Sequence, residues 1–195
     1  MATPGSSPNV EIGLENFNTQ LFMAKETKIG LVMQSSEAGR NASGRRKTVG
    51  RFVITRNNGE KVEVEITDCQ DNLEVEALMP RVKSGDDDAL RELAPIIQKY
   101  DPLAAARILA TVGDLGEAWE VAGDHWDETG QDVDAFLAYK ESAKYGHPCG
   151  KCKLGRCYAQ GFGCKKNKKL AKKWLEEAAQ ECSEAEDYLD QYGLK

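Results

Sequence analysis

The chain has 195 residues, 41% of them hydrophobic and 30% charged, with a formal net charge of −6. That length buries a core without metals or disulfides to hold it, and the composition excludes wholesale disorder. The opening residues, MATPGSSPNV, lack the basic start and apolar run of a secretory signal, and no stretch approaches the roughly 20 apolar residues of a membrane span. The expectation is a cytoplasmic protein with reduced thiols.

Residues 1 to 26 mix Pro, Gly, Ser and Asn with scattered apolar positions such as Val10, Phe17 and Phe22, the pattern of a flexible tail. Three short segments rich in Val and Ile follow: KIGLVMQ (28 to 34), TVGRFVITR (48 to 56) and KVEVEIT (61 to 67). Their alternation predicts strands. Asn58 and Gly59 suit a tight turn, so a hairpin from Thr48 to Thr67 is expected within a small antiparallel β unit spanning 27 to 70. GRNASGRRKT (39 to 48) has the glycine spacing of a phosphate-binding loop. Arg45 and Arg46 stand at its lysine and hydroxyl positions, however, and a strand follows where that motif needs a helix N-terminus. A mobile basic loop is the better reading.

From about residue 73 the apolar period lengthens to 3.6. Ser84, Gly85 and Asp86 form a capping cluster ahead of Leu90, Leu93, Ile96, Ile97 and Tyr100. Pro95 predicts a kink or restart, and Asp101 with Pro102 predicts the start of the next helix. Breaks recur at Gly113, Gly130, Gly146 and Gly161. Helices of that length joined by short turns pack antiparallel to their neighbours. The expected fold class is therefore α+β: a small N-terminal antiparallel β unit followed, from 73 to 195, by an all-α right-handed solenoid of helical hairpins.

Within the solenoid, Trp119, Ala122, Gly123, Trp126, Gly130, Ala135, Tyr139 and Pro148 fall at or near tetratricopeptide spacing. Small residues such as Ala122, Gly123 and Ala135 let helices approach, while Trp119, Trp126 and Tyr139 fill the space between hairpins. The next unit resembles a Sel1-like repeat, a relative of the tetratricopeptide repeat with a longer loop. The resemblance rests on Ala143, Gly146, Leu154, Gly155, Tyr158, the Gly161 to Gly163 loop, Ala171, Trp174, Ala178 and Ala179. It covers residues from Ala135 to about Tyr192 and does not reach the β segment. It implies an adaptor that presents a concave helical surface to another protein, with Trp119, Trp126 and Trp174 fixing curvature.

Charge is unevenly placed. Residues 84 to 146 are acidic, whereas Lys151 through Lys173 hold nine Lys or Arg and no Asp or Glu. The expected partner contacts are Glu120, Asp124, Lys151 and Arg156 on the first helices of the hairpins, with Lys165, Lys166 and Lys169 from the basic stretch. Two other uses of that stretch stand beside this one. It could bind nucleic acid, with Tyr158 and Phe162 as stacking groups, or meet the acidic residues of a second copy in a salt-sensitive self-association. No catalytic constellation is visible: the two histidines, His125 and His147, join no Ser, His and Asp set and no zinc-protease helix. Binding, not catalysis, is expected.

Four cysteines crowd one hairpin. Cys149 and Cys152 form a C-x-x-C pair that Cys157 and Cys164 could complete as a zinc set. On one continuous helix, though, the first three spread over about 140°. The repeat register instead puts Cys157 and Cys164 in the hairpin interior as small apolar groups, leaving Cys149 and Cys152 as candidates for metal or redox chemistry. Some secreted relatives staple each hairpin with a disulfide, at positions that correspond here to Ala143 and Lys151, so the resemblance implies none. Cys69 and Cys182 have no evident partner.

Overall fold

A computed structural model describes residues 30–35, 39–40, 46–47, 50–55, 61–66 and 68–195. The expected tail over 1 to 26, the Asn58–Gly59 turn and the middle of the basic 39 to 48 loop lie outside the described residues. Strands β1 (Gly30–Ser35), β4 (Gly50–Thr55) and β5 (Lys61–Ile66) form an antiparallel sheet in the order β1-β4-β5, with Gly30 opposite Thr55 and Gly50 opposite Ile66. The short β2 (Gly39–Arg40) and β3 (Arg46–Lys47) pair with each other. Val64 and Ile66 of β5 are buried in the same cluster as Val75 and Met79 of the first described helix.

Eight helices follow among the described residues: α1 (Cys69–Lys83), α2 (Asp87–Gln98), α3 (Pro102–Thr111), α4 (Leu115–Glu128), α5 (Asp132–Lys144), α6 (Pro148–Gln160), α7 (Lys168–Ala178) and α8 (Glu184–Gln191). Each packs against its sequence neighbours, and α4 also touches α6 as α6 touches α8. First helices of successive hairpins thus meet across the repeats.

The turns are built alike. At the end of α5, Gly146 N–H donates to the Ala143 carbonyl and His147 N–H to the Ser142 carbonyl, and the end of α4 repeats this with Gly130 and Gln131. This two-bond cap requires a residue at positive φ, which Gly146 (83°) and Gly130 (76°) supply. The next helix starts one residue later. At α2 and α3 the start is fixed by Asp86, which accepts from Asp88 and Ala89 N–H, and by Asp101, which accepts from Ala104 N–H at 2.9 Å.

Two sequence expectations change. Helix α2 runs through Pro95 instead of breaking there, because Leu93, Ala94, Ile96 and Ile97 on both sides of it are buried and hold the final turn. Helix α1 begins at Cys69, ahead of the expected helical boundary at 73. Its inward face is Asp71, Val75, Met79 and Val82, so the stripe opens with a carboxylate. Asp71 is tolerated there because Lys99 Nζ and the Tyr100 hydroxyl donate to it at 2.7 and 2.8 Å.

Candidate functional site

Inside the α4–α5 and α6–α7 hairpins the close approach is made by a glycine on the first helix and a large side chain on the second. A Cβ on Gly123 (α4) would lie 2.6 Å from the Tyr139 ring (α5), and one on Gly155 (α6) would lie 2.7 Å from Leu175 (α7). Gly123 and Gly155 occupy equivalent places, as do Tyr139 and Leu175, so the two hairpins repeat one packing device. Trp119 and Trp126 are buried around it.

This packing brings α4 and α6 side by side and joins their charges. Lys153 Nζ bonds the Glu120 carboxylate at 2.8 Å and also the Asp124 carboxylate, while the Arg156 guanidinium bonds Asp127. Tyr139 closes the network by donating its hydroxyl to Asp124 at 2.8 Å. Burial works against the Lys153 ammonium, but Glu120 and Asp124 outweigh it and raise its pKa. Burial raises the Glu120 carboxyl, Lys153 opposing it. The residues of this seam are 14 to 29% exposed at their side chains, so Glu120, Asp124 and Arg156 are engaged within the chain. Sequence reasoning passed over Lys153 and Asp127, which a search for opposite charges between first helices of adjacent hairpins would have found.

The remaining expected contacts lie elsewhere. Lys151 is half-buried on α6, while Lys165 and Lys166 in the α6–α7 connection and Lys168 and Lys169 at the start of α7 are exposed. Lys172 and Lys173 pair with Glu176 and Glu177 at 3.6 and 3.8 Å. Lys165, Lys166, Lys168 and Lys169 form no ion pair with any described residue. The aromatic groups considered for base stacking face inward: Tyr158 packs edge-on against Phe136 at 5.5 Å, and Phe162 lies under the Arg156 guanidinium at 6.0 Å. Residues 113–117 and 145–147 line a cleft of about 310 Å³ between the α3–α4 and α5–α6 connections. There burial holds the His147 imidazole below its usual pKa.

The cysteines do not assemble as the sequence grouped them. Cys157 is buried with the α4–α5 core, and Cys164 lies beside it, its thiol 3.6 Å from the Cys157 carbonyl. Cys149 and Cys152 belong to a second cluster with Cys182. The set of Cys149, Cys152, Cys157 and Cys164 is therefore split between two sides of α6. Instead, the ligand atoms of Cys152, Cys182 and Glu184 lie within 4.8 Å of one another. Cys149, Cys152, Cys157, Cys164 and Cys182 are free thiols.

No protein-family model and no curated protein matches the chain. Among solved structures it is similar to a Sel1 repeat protein from Oxalobacter formigenes, at 30% identity and a TM-score of 0.45, over 60% of this chain and 98% of that one. It is also similar to c5321, a protective antigen present in uropathogenic Escherichia coli strains displaying an SLR fold, at 26% identity and a TM-score of 0.45. That match covers 54% of this chain and 25% of the antigen.

Proposed function

We propose that the helical part of this chain, a Sel1-like repeat region, is a protein-binding module that engages an acidic surface of its partner through Lys165, Lys166 and Lys169. The observation that carries this reading is where the uncompensated charge sits. The bases of the α4–α6 seam are matched by carboxylates of the same chain, whereas these lysines are exposed and matched by no described residue. Lys168 and Lys169 moreover stand in the first turn of α7, where the helix dipole disfavours positive charge. Stability alone calls for acids at that end, so a binding role accounts for what folding does not.

The seam contributes rigidity. With Lys153 and Arg156 fixed to α4, the α6–α7 connection is presented on a preformed frame, which lowers the ordering cost of binding. Lys151, in the first turn of α6, lies at the opposite end of that helix from the α6–α7 connection and stands apart from this patch. Nucleic acid is the weaker reading, because Tyr158 and Phe162 are taken up in packing and the seam removes Lys153 and Arg156 from the basic face.

The test is a pull-down of the whole chain from an extract of its native cell, with and without nuclease, alongside the triple variant Lys165→Glu, Lys166→Glu, Lys169→Glu. The expected result is a stoichiometric protein that survives nuclease and is lost with the variant while far-ultraviolet circular dichroism is unchanged. Recovery of nucleic acid, with proteins lost on nuclease treatment, overturns the reading.

A further inference from the structure

Two thiols and a carboxylate converge where the first turns of α6 meet the segment between α7 and α8, with a third thiol packed against them. The ligand atoms of Cys152, Cys182 and Glu184 share a sphere in which none is more than 4.8 Å from another. Cys149, three residues ahead of Cys152 on α6, packs against the same cluster as Cys152 and Cys182. Zinc–thiolate bonds of about 2.3 Å in a tetrahedron place neighbouring sulfurs roughly 3.8 Å apart, so side-chain movements of about 1 Å close the set around one ion. We propose that Cys149, Cys152, Cys182 and Glu184 form a zinc-binding site that ties the α7–α8 connection to the N-terminal end of α6.

The local chemistry supports each ligand. Pro148 opens α6, and Cys149 and Cys152 follow in its first two turns, facing the segment that carries Cys182. Cys152 is fully buried and Cys182 is 6% exposed. Glu184, the first residue of α8, is exposed, so it stands at the solvent side where an ion enters. Binding releases protons as the thiolates form.

The donor set also selects the ion. Thiolates favour soft cations, copper(I) and zinc among them, while a carboxylate oxygen suits the harder zinc. Four protein ligands leave no open position, which makes the site structural and not catalytic. Its place explains a need: Ser183 gives α8 no side-chain cap, and α8 has only eight residues. A metal clip at Glu184 would anchor that start.

The test is titration of the reduced, untagged full chain with cobalt(II), followed by zinc. The expected result is one cobalt per chain, tetrahedral d–d bands and a sulfur-to-cobalt charge-transfer band of the intensity of three thiolates, all erased by zinc. Cys182→Ser should weaken binding beyond the roughly 10–100-fold that loss of an outer-shell partner costs, and Glu184→Gln by about tenfold or more. Cys164→Ser should leave it unchanged. Absence of cobalt binding by the reduced wild-type chain overturns the proposal, whatever the variants do. So does binding that is indifferent to Cys182 but lost with Cys164, or an air-formed Cys152–Cys182 disulfide whose reduction restores no metal uptake.

Discussion

At the scale of single residues, one methyl group tests the hairpin packing. Alanine at 155 adds about 1 kcal/mol of helix propensity over glycine, but its Cβ would fall 2.7 Å from Leu175 Cγ. Overpacking costs about 1–3 kcal/mol and outweighs that gain. Gly155→Ala is therefore expected to destabilise the chain by up to about 2 kcal/mol in urea unfolding, and Leu175→Ala in the same chain should couple to it in a double-mutant cycle. Additivity of the two would show that the contact is not tight. Asp71 tests the polar side of the core. The Lys99 hydrogen bond, with Tyr100, lowers its pKa below the ordinary 3.8. A carboxyl depressed on folding stabilises above its unfolded pKa, and that contribution disappears as pH falls through the lower folded value. Asp71→Asn should thus be less stable than wild type at pH 7, with the difference shrinking below about pH 4. A difference that stays constant from pH 7 to pH 2 would assign the loss to packing instead of charge.

At the scale of elements, α7 is the helix with a conflict. Asn167 caps it by accepting from Lys169 and Leu170 N–H at 3.1 Å, yet its first turn is basic and lacks any acid. Exchanging charge at an exposed first turn is worth about 0.3–1 kcal/mol. Lys168→Glu is accordingly expected to raise the unfolding midpoint in urea while weakening partner capture, so that stability and binding move in opposite directions. Loss of both would mean that Lys168 supports the fold. The elements differ in how far the sequence reveals them, and the reason is range. The Asp101 cap, the Gly130 and Gly146 breaks and the small residues Ala122, Gly123 and Ala135 are read from neighbours one turn away. Helix α1 is not, because its stripe opens with Asp71, whose burial depends on Lys99, 28 residues on. Pro95 misleads for the same reason, since tertiary packing of Ile96 and Ile97 overrides a local signal. The convergence of Cys182 with Cys149 and Cys152 is the longest in range. It needs the α6–α7 hairpin to be folded back before a C-x-x-C pair acquires a third thiol.

At the scale of the whole molecule, the chain carries an acidic block and then a basic block, which in sequence suggests attraction between copies. The hairpin stack offers a nearer solution. It sets α4 beside α6, so that Glu120 and Asp124 meet Lys153 and Asp127 meets Arg156 within one chain. Once half-buried, those groups gain little from a second copy, which would first have to break bonds already made. The bases left over, Lys165 to Lys169, face solvent and repel their counterparts on another copy. The expected outcome is a monomer near 21.5 kDa at both low and high salt by light scattering. The same argument places the cost of losing a seam charge in the fold. Lys153→Met should destabilise the monomer by about 1–3 kcal/mol, between the costs of breaking an exposed and a fully buried ion pair, without changing its oligomeric state. An oligomer that forms at low salt and dissociates on adding salt would show instead that exposed acids such as Glu117 and Glu128 recruit the unpaired lysines of a neighbour. The charge pattern would then specify assembly between chains more strongly than it specifies the contact between hairpins.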